Sequence, residues 1–385
     1  MITEKEKYIP VCEPLIAGNE KLYVDEAIDT GWISSSGKYV RMFEEKFAEY
    51  CGAKYAVSAV NGTAALHLSL TALGIGKGDE VIIPDFTMIA TAFAVCYTGA
   101  TPVFVDADPD TWNIDVTKIE KKITKKTKAI LPVSIFGLPC DMSKIYDIAL
   151  NDNIKIVEDA AESHGAEYEG KRTGTLADIT AFSFFANKNL TTGEGGMVVT
   201  DNEELYNKCR YYKNLCFPPE SPRNYIHKNI GFNYRMSNLH AAIGLAQVEQ
   251  ADLLRERRIK NAEHYFNYLS GVEGITFQNN FSRISGDLSE RLNVHWMNGI
   301  LIDPVKFGRT RRELVEYLGK NGIDTRVFFT GMHKQPALAD YGCDISASYP
   351  VSELLAANGF YLPSSSALSK QDIEYISEKI IEFKN

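Results

Sequence analysis

The sequence is short of paired cysteines, of positive charge and of long apolar runs, and each shortage removes a class of function. Its seven cysteines (Cys12, Cys51, Cys96, Cys140, Cys209, Cys216 and Cys343) are odd in number, widely spaced and contain no CxxC pair. That pattern supports neither a disulfide framework nor a zinc site, and reads as reduced thiols in a cytoplasmic protein. Lys and Arg number 41 against 50 Asp and Glu, a net charge of −9, so a general nucleic-acid role has no electrostatic support. The two basic clusters, Lys121–Lys128 and Arg255–Arg258, sit beside acidic residues and read as solvated faces. The opening MITEKEKYIP is charged and does not read as a signal peptide. Only Phe86–Val105 runs 20 residues without a charge, the length of a membrane span. Its four threonines and its Gly99-Ala100-Thr101-Pro102 break make it a buried helix followed by a buried strand.

What is present is a repeated alternation. Strand-like runs occur at 54–60, 80–85, 102–107, 128–136, 154–159, 179–185 and 196–201, several apolar throughout, as in strands covered on both faces. Helical patterns at 63–73, 89–98 and 142–150 lie between them, which predicts a mostly parallel sheet with helices on both sides. From Met236 the spacing of Leu239, Ile243, Ala246, Leu253, Leu254, Ala262, Phe266 and Leu269 predicts one long helix running to Gly271. It leads from a large domain (1–250) into a small α+β domain (251–385), with strands at 293–303 and 324–329 and helices at 310–318 and 370–383. The stretch 217–227, with Pro218, Pro219 and Pro222, is a loop. Gly74–Gly78 carries a GxGxG, but it follows a helix and precedes a strand, the reverse of a dinucleotide fingerprint.

Chemistry concentrates at two strand ends. KIVEDAAESHG (155–165) ends its apolar run on Asp159, and AFSFFANKNLTTGEGGM (181–197) delivers Lys188 to the edge of a glycine-rich turn. In a parallel sheet both fall beyond the carboxyl ends of strands, where ligands bind. A lysine and a carboxylate so placed suit pyridoxal phosphate (PLP): the amine joins the aldehyde, and the aspartate keeps the pyridine nitrogen protonated. Gly62, Thr63 and Ala64 open the helix after the first strand, where free amides and the helix dipole favour an anion. Ser183 adds a hydroxyl from a neighbouring strand. The seven histidines show no metal-ligand spacing, and no metal is expected.

NGTAALHLSLTALGIGKGDEVIIP (61–84), VEDAAESHGA, FSFFANKNLTTGEGGM and GFNYRMSNLHAAIGLAQ (231–247), in this order, resemble the signature blocks of the DegT/StrS-type nucleotide-sugar aminotransferases. The opening block around GWISSSGKYV and the late IDTRVFFTGMHKQPAL also fit, so the resemblance spans essentially the whole chain. It implies the aspartate-aminotransferase-like (type I) PLP fold and transfer of an amino group to a keto group of a nucleotide-linked deoxysugar, with glutamate as donor. The blocks look closest to the subgroup that aminates C-4 of a GDP-linked 4-keto-6-deoxymannose; a UDP- or dTDP-linked sugar comes second and amination at C-3 third. By the same resemblance Glu162 lies beside the cofactor 3′-oxygen, and Gly62, Thr63, Ala64 and Ser183 bind its phosphate. Asn233 reaches the phosphate of the other subunit, which implies a homodimer with shared sites. Trp32, Arg326 and His333 stand in blocks that imply substrate contact. One position departs from the family: where an aromatic residue stacks on the cofactor ring, this sequence offers Met88, with Phe86 two residues earlier. A thioether packs well on an aromatic ring, and either residue can fill the role.

Overall fold

The computed structural model describes residues 8–218, 225–278 and 291–385. Most of the charged opening segment, and Pro219 and Pro222 of the proline-rich loop, lie outside the described residues. Two helices lead, α1 (Glu20–Asp29) and α2 (Lys38–Cys51), and α2 buries Tyr39, Phe43, Phe47 and Cys51 at helical spacing. The alternation follows as β1 (Tyr55–Ala59), α3 (Gly62–Ala72), β2 (Glu80–Pro84), α4 (Ile89–Tyr97), β3 (Thr101–Val105) and β4 (Thr127–Ile130). Next come α5 (Met142–Asp152), β5 (Lys155–Asp159), a small hairpin of β6 (Glu167–Tyr168) and β7 (Lys171–Arg172), β8 (Ile179–Ser183), β9 (Gly196–Thr200) and α6 (Glu203–Lys213).

The large sheet has seven strands in the order β1-β9-β8-β5-β4-β2-β3. Only β9 runs against its neighbours, pairing antiparallel with both β1 and β8, while the other pairings are parallel. The carboxyl ends of β1, β5 and β8 therefore share one edge, and Gly196 begins β9 there, opposite Ala59 and Ser183. A side chain at Gly196 would come within 2.2 Å of the Asn61 carbonyl, so the crossing needs glycine.

Several elements are shorter than the apolar runs that predict them. β4 stops at Ile130, and the chain turns through Phe136 (φ 54°) and Gly137 (φ 104°). The expected strand at 293–303 reduces to Asn298–Ile302, because Val294 and Trp296 donate their N–H groups to Gly137 and Phe136 instead of to a sheet neighbour. The single helix expected from Met236 is two, α7 (Asn238–Glu249) and α8 (Ala251–Leu269), broken at Gln250 (φ −108°, ψ 9°). Ala251 and Leu254 beyond the break stay in the core of α7, and the chain reaches a second core only further along α8. Ala241, Ala242, Leu245 and Val248 pack with α1 and α2, whereas Tyr265 and Leu269 join a second apolar cluster with Ile300, Phe360 and Ile376.

The rest of the chain supplies β10 (Ile275–Phe277), β11 (Arg291–Leu292), β12 (Asn298–Ile302), α9 (Pro304–Phe307), α10 (Arg311–Lys320), β13 (Arg326–Val327), α11 (Pro336–Tyr341), α12 (Pro350–Asn358), β14 (Gly359–Leu362) and α13 (Lys370–Lys384). Four of these strands form an antiparallel sheet, β10-β12-β14-β13, and β11 extends the β6–β7 hairpin. Capping boxes start α10 (Thr310 with Glu313) and α13 (Ser369 with Asp372), satisfying amides the helices leave free. Trp296, Phe328 and Tyr361 from this half pack into the same core as Val57, Ile83 and Val157 of the large sheet. Trp296 and Tyr361 line the space above its carboxyl edge. Among the described residues no helix is long and apolar enough to cross a membrane.

Candidate active site

A cavity of about 390 Å³ opens at that edge. Lys188 enters it from the connection between β8 and β9, a turn closed by Lys188 N–H to the Phe185 carbonyl at 2.9 Å and Thr192 N–H to the Phe184 carbonyl at 2.9 Å. Its Nζ lies 3.6 Å from the centroid of the Trp296 ring, a cation–π distance. Burial drives the lysine below its ordinary pKa, and the negative charges of Glu162 and Asp159 oppose that shift without overcoming it. A buried amine that gives up its proton more readily keeps more of itself in the unprotonated form that can attack an aldehyde or accept a proton.

Asp159 ends β5 and is buried with both oxygens held: Oδ2 accepts from Thr91 Oγ1 at 2.8 Å and Oδ1 from the Ala161 N–H at 3.1 Å. Burial raises its pKa, against the pull of those donors and of Lys188. Glu162, also buried, accepts from the Phe136 N–H at 2.7 Å. Burial pushes its carboxyl up to about 7; Lys188 and Phe136 work against the rise, and the charge of Asp159 adds to it.

Opposite lies the first turn of α3. Asn61 caps it, accepting the Ala64 N–H at 2.8 Å. That amide is engaged by the cap, while Gly62 and Thr63 line the cavity. A Cβ at Gly62 would stand 2.6 Å from that of Ser183, so glycine lets the helix start and the serine share one cradle. Met88 is 51% exposed on the cavity wall, whereas Phe86 is wholly buried against Phe136, Phe328 and Phe329. The structure thus brings Gly62, Thr63, Met88, Asp159, Glu162, Ser183 and Lys188 to one space.

Four candidates lie elsewhere. Trp32 is exposed and lines a separate surface pocket, its carbonyl accepting from Asn238 Nδ2 at 2.6 Å. Arg326 is exposed and paired with Asp324, but its register partner Tyr361 lines the cavity, which puts it near the rim. Asn233 is exposed, accepts from Arg235 Nε at 3.0 Å and does not line this chain's own cavity. His333 is buried and does not line the cavity, with Nδ1 2.8 Å from Asp85 Oδ2 and Nε2 3.2 Å from Glu353 Oε1. A carboxylate as buried as Asp85 needs donors, and the histidine's ring and N–H supply them. The reading of Arg255–Arg258 as a solvated face is corrected, because Arg258 is only 2% exposed. Thr91, Trp296 and Tyr361 also serve the site, and lone aromatics and a threonine in an apolar helix give no sequence signal of it.

The donor set fits one group: an amine for an aldehyde, a fixed carboxylate for a pyridinium, and a glycine-lined helix start with a hydroxyl for a phosphate dianion. A mostly parallel sheet with this set at its carboxyl edge defines a PLP-dependent enzyme of the aspartate-aminotransferase fold. The chain belongs to the DegT/DnrJ/EryC1/StrS aminotransferase family, whose model matches residues 14–381. It is a PLP-dependent transaminase. It is 44% identical over 377 residues to the GDP-perosamine synthase of Escherichia coli O157:H7, covering 98% of this chain and 99% of that one. Against the GDP-perosamine synthase of Caulobacter vibrioides it is 42% identical, with 96% of each chain covered. Among solved structures, Spr1654 of Streptococcus pneumoniae in its PLP form superposes with a TM-score of 0.89 at 27% identity, covering 98% of this chain and 99% of that one.

Proposed function

We propose that this enzyme, in the cytoplasm, transfers an amino group from glutamate to the C-4 keto group of a GDP-linked 4-keto-6-deoxyhexose, making a GDP-linked 4-amino sugar. The full-length similarity to two GDP-perosamine synthases carries the choice of sugar, and the cavity built on Lys188, Asp159 and the α3 start supports the chemistry.

PLP supplies an aldehyde that captures amines and a ring that draws electrons from the carbon losing a proton. Lys188 Nζ would be the attachment point for the aldehyde, and its free amine would serve as the base for the donor carbon's proton. Asp159, locked by Thr91 and Ala161, holds a proton on the ring nitrogen. The Gly62 and Thr63 amides with Ser183 would hold the phosphate, Glu162 would serve the 3′-oxygen, and Met88 would supply the packing surface for the ring. Asn233 completes the phosphate site of a second copy. Arg326 at the rim, and Trp32 on the surface, contribute to sugar-nucleotide binding. A sugar dehydratase of this fold, with histidine in place of the cofactor lysine, is disfavoured by Lys188 itself.

The test is incubation with glutamate and a panel of GDP-, UDP- and dTDP-linked 4-keto and 3-keto sugars, with products read by mass spectrometry and NMR. A C-4 amine formed fastest on the GDP sugar is the expected result; preference for a UDP or dTDP sugar would overturn the substrate. Lys188→Ala should fold, lose the near-visible absorbance of the bound cofactor and lose all turnover; activity in that variant would overturn the mechanism.

A further inference from the structure

Behind Lys188 lies a buried cation that the chemistry above does not use. Arg258, on α8, is 2% exposed, and among the described residues no carboxylate pairs with it. Its donors go to neutral acceptors: Nη1 to the carbonyls of Trp296 (2.8 Å) and Ser364, Nε to Ser366 Oγ at 3.0 Å, and Nη2 to Cys12 Sγ at 3.4 Å. The Cys12 thiol in turn donates to the Asn187 carbonyl at 3.4 Å, and the same carbonyl accepts from Trp296 Nε1 at 2.9 Å. Two routes therefore run from the guanidinium to Lys188. One passes through the Trp296 backbone to the ring under the amine, the other through Cys12 to the residue before the lysine. A buried guanidinium without a counter-ion is expensive, and it persists only where its surroundings over-determine it.

We propose that Arg258 is a positioning residue that fixes the indole of Trp296 and the Asn187 carbonyl so that the Lys188 amine is held over the ring, with a fixed positive charge behind it. The two partners act on the amine with opposite sign. The ring face favours an ammonium, whereas the guanidinium disfavours a second cation nearby. The other groups facing the amine are Asp159 and Glu162, which favour its charged form, with Cys12, His164 and Tyr361. Arg258 thus adds to burial, against the two carboxylates, in disfavouring the ammonium.

The inference rests on Lys188 being the cofactor lysine, so the deciding readout is chemical labelling rather than turnover. The full chain, freed of cofactor, is labelled with acetic anhydride across a pH series, and acetylation of the Lys188 peptide is quantified by mass spectrometry. Arg258→Met, of similar length and no charge, should move the midpoint upward, lowering labelling at a fixed pH below it by roughly tenfold, the equivalent of one pH unit. Trp296→Leu should move it downward, raising labelling by about three- to tenfold. Arg258→Lys keeps the charge and loses most of the bonds; it should hold the midpoint near wild type while lowering kcat more than it changes KM. Should Arg258→Met not fold, as circular dichroism would reveal, the Trp296→Leu and Arg258→Lys arms still decide. Unchanged midpoints in folded Arg258→Met and Trp296→Leu, or an Arg258→Lys midpoint shifted as far as that of Met, would overturn the proposal. If instead Lys188→Ala remains active, the cofactor assignment fails whatever these midpoints show.

Discussion

Thr91 Oγ1 donates to Asp159 Oδ2 at 2.8 Å, joining the first turn of α4 to the end of β5. With the Ala161 N–H on the other oxygen, the carboxyl is fixed in rotation before any ligand arrives. Preorganisation of this kind lets an electrostatic partner act without reorienting during the reaction. Thr91→Val keeps the shape but leaves a buried carboxylate oxygen short of a donor, a loss of about 1–3 kcal/mol. Part of that loss should surface as weaker cofactor binding, about tenfold in a spectrophotometric titration of the cofactor-free protein, while Thr91→Ser stays near wild type. Equal affinities for the Val and Ser variants would show that the hydroxyl does not hold Asp159.

Glu162 gives a pH test. Its folded pKa is raised to about 7 by burial, above its ordinary value of 4.5, so the folded state binds its proton more tightly than the unfolded chain does. The resulting stability is fully present below pH 4.5 and is lost as the pH rises through 7. Glu162→Gln removes this titration, whereas Glu158, also raised to about 7, titrates in both proteins and largely cancels in the difference. Relative to wild type, the Gln variant of the cofactor-free protein should therefore gain stability between pH 4.5 and pH 8, on the order of 1–3 kcal/mol. Urea midpoints at several pH values measure it, and a pH-independent difference would refute the shift.

The phosphate cradle is tested at Gly62. Alanine there brings a Cβ to 2.6 Å from the Cβ of Ser183, two atoms that cannot both stay in place. Cofactor affinity should fall at least tenfold, more than it does in Ser183→Ala, which removes a hydroxyl without a clash. A Gly62→Ala protein with wild-type affinity would mean that the cradle yields, and that the close approach is not what shapes it.

How much of this could be read from the chain depends on where each residue's signal lies. Asp159 and Lys188 follow strands whose apolar runs are continuous, so their place beyond the carboxyl edge comes directly from the βα alternation. Gly62 and Ser183 are legible for the same reason, since each sits at a strand end. The break at Gln250 is invisible because helical spacing persists across it, and only the backbone of one residue, φ −108° and ψ 9°, leaves the helix. The partner of His333 is equally invisible, because the buried Asp85 that meets its ring lies 248 residues away in the chain. Arg258 reads as surface because its neighbours Arg255, Glu256 and Arg257 are charged, and only the packing of α8 reveals which of the four faces inward.

Asn233 stands on the surface of the single chain, in a backbone bridge with Asn214, and it does not touch this chain's own cavity. Its proposed role therefore requires a second copy, and a two-fold arrangement makes two equal sites, each taking Lys188 from one chain and Asn233 from the other. Lys188→Ala and Asn233→Ala proteins are first assayed separately at limiting cofactor, where the loss of one phosphate contact has its largest effect. Mixed in equal amounts and allowed to exchange subunits, half the dimers become heterodimers carrying one intact site and one site with both defects. Activity should then rise to about a quarter of wild type, the share of intact sites that random pairing gives. Excess cofactor should restore the Asn233→Ala parent but never the Lys188→Ala parent, which separates a binding defect from a chemical one. A mixture no more active than the mean of its parents, with exchange verified by native mass spectrometry, would place Asn233 outside the shared site.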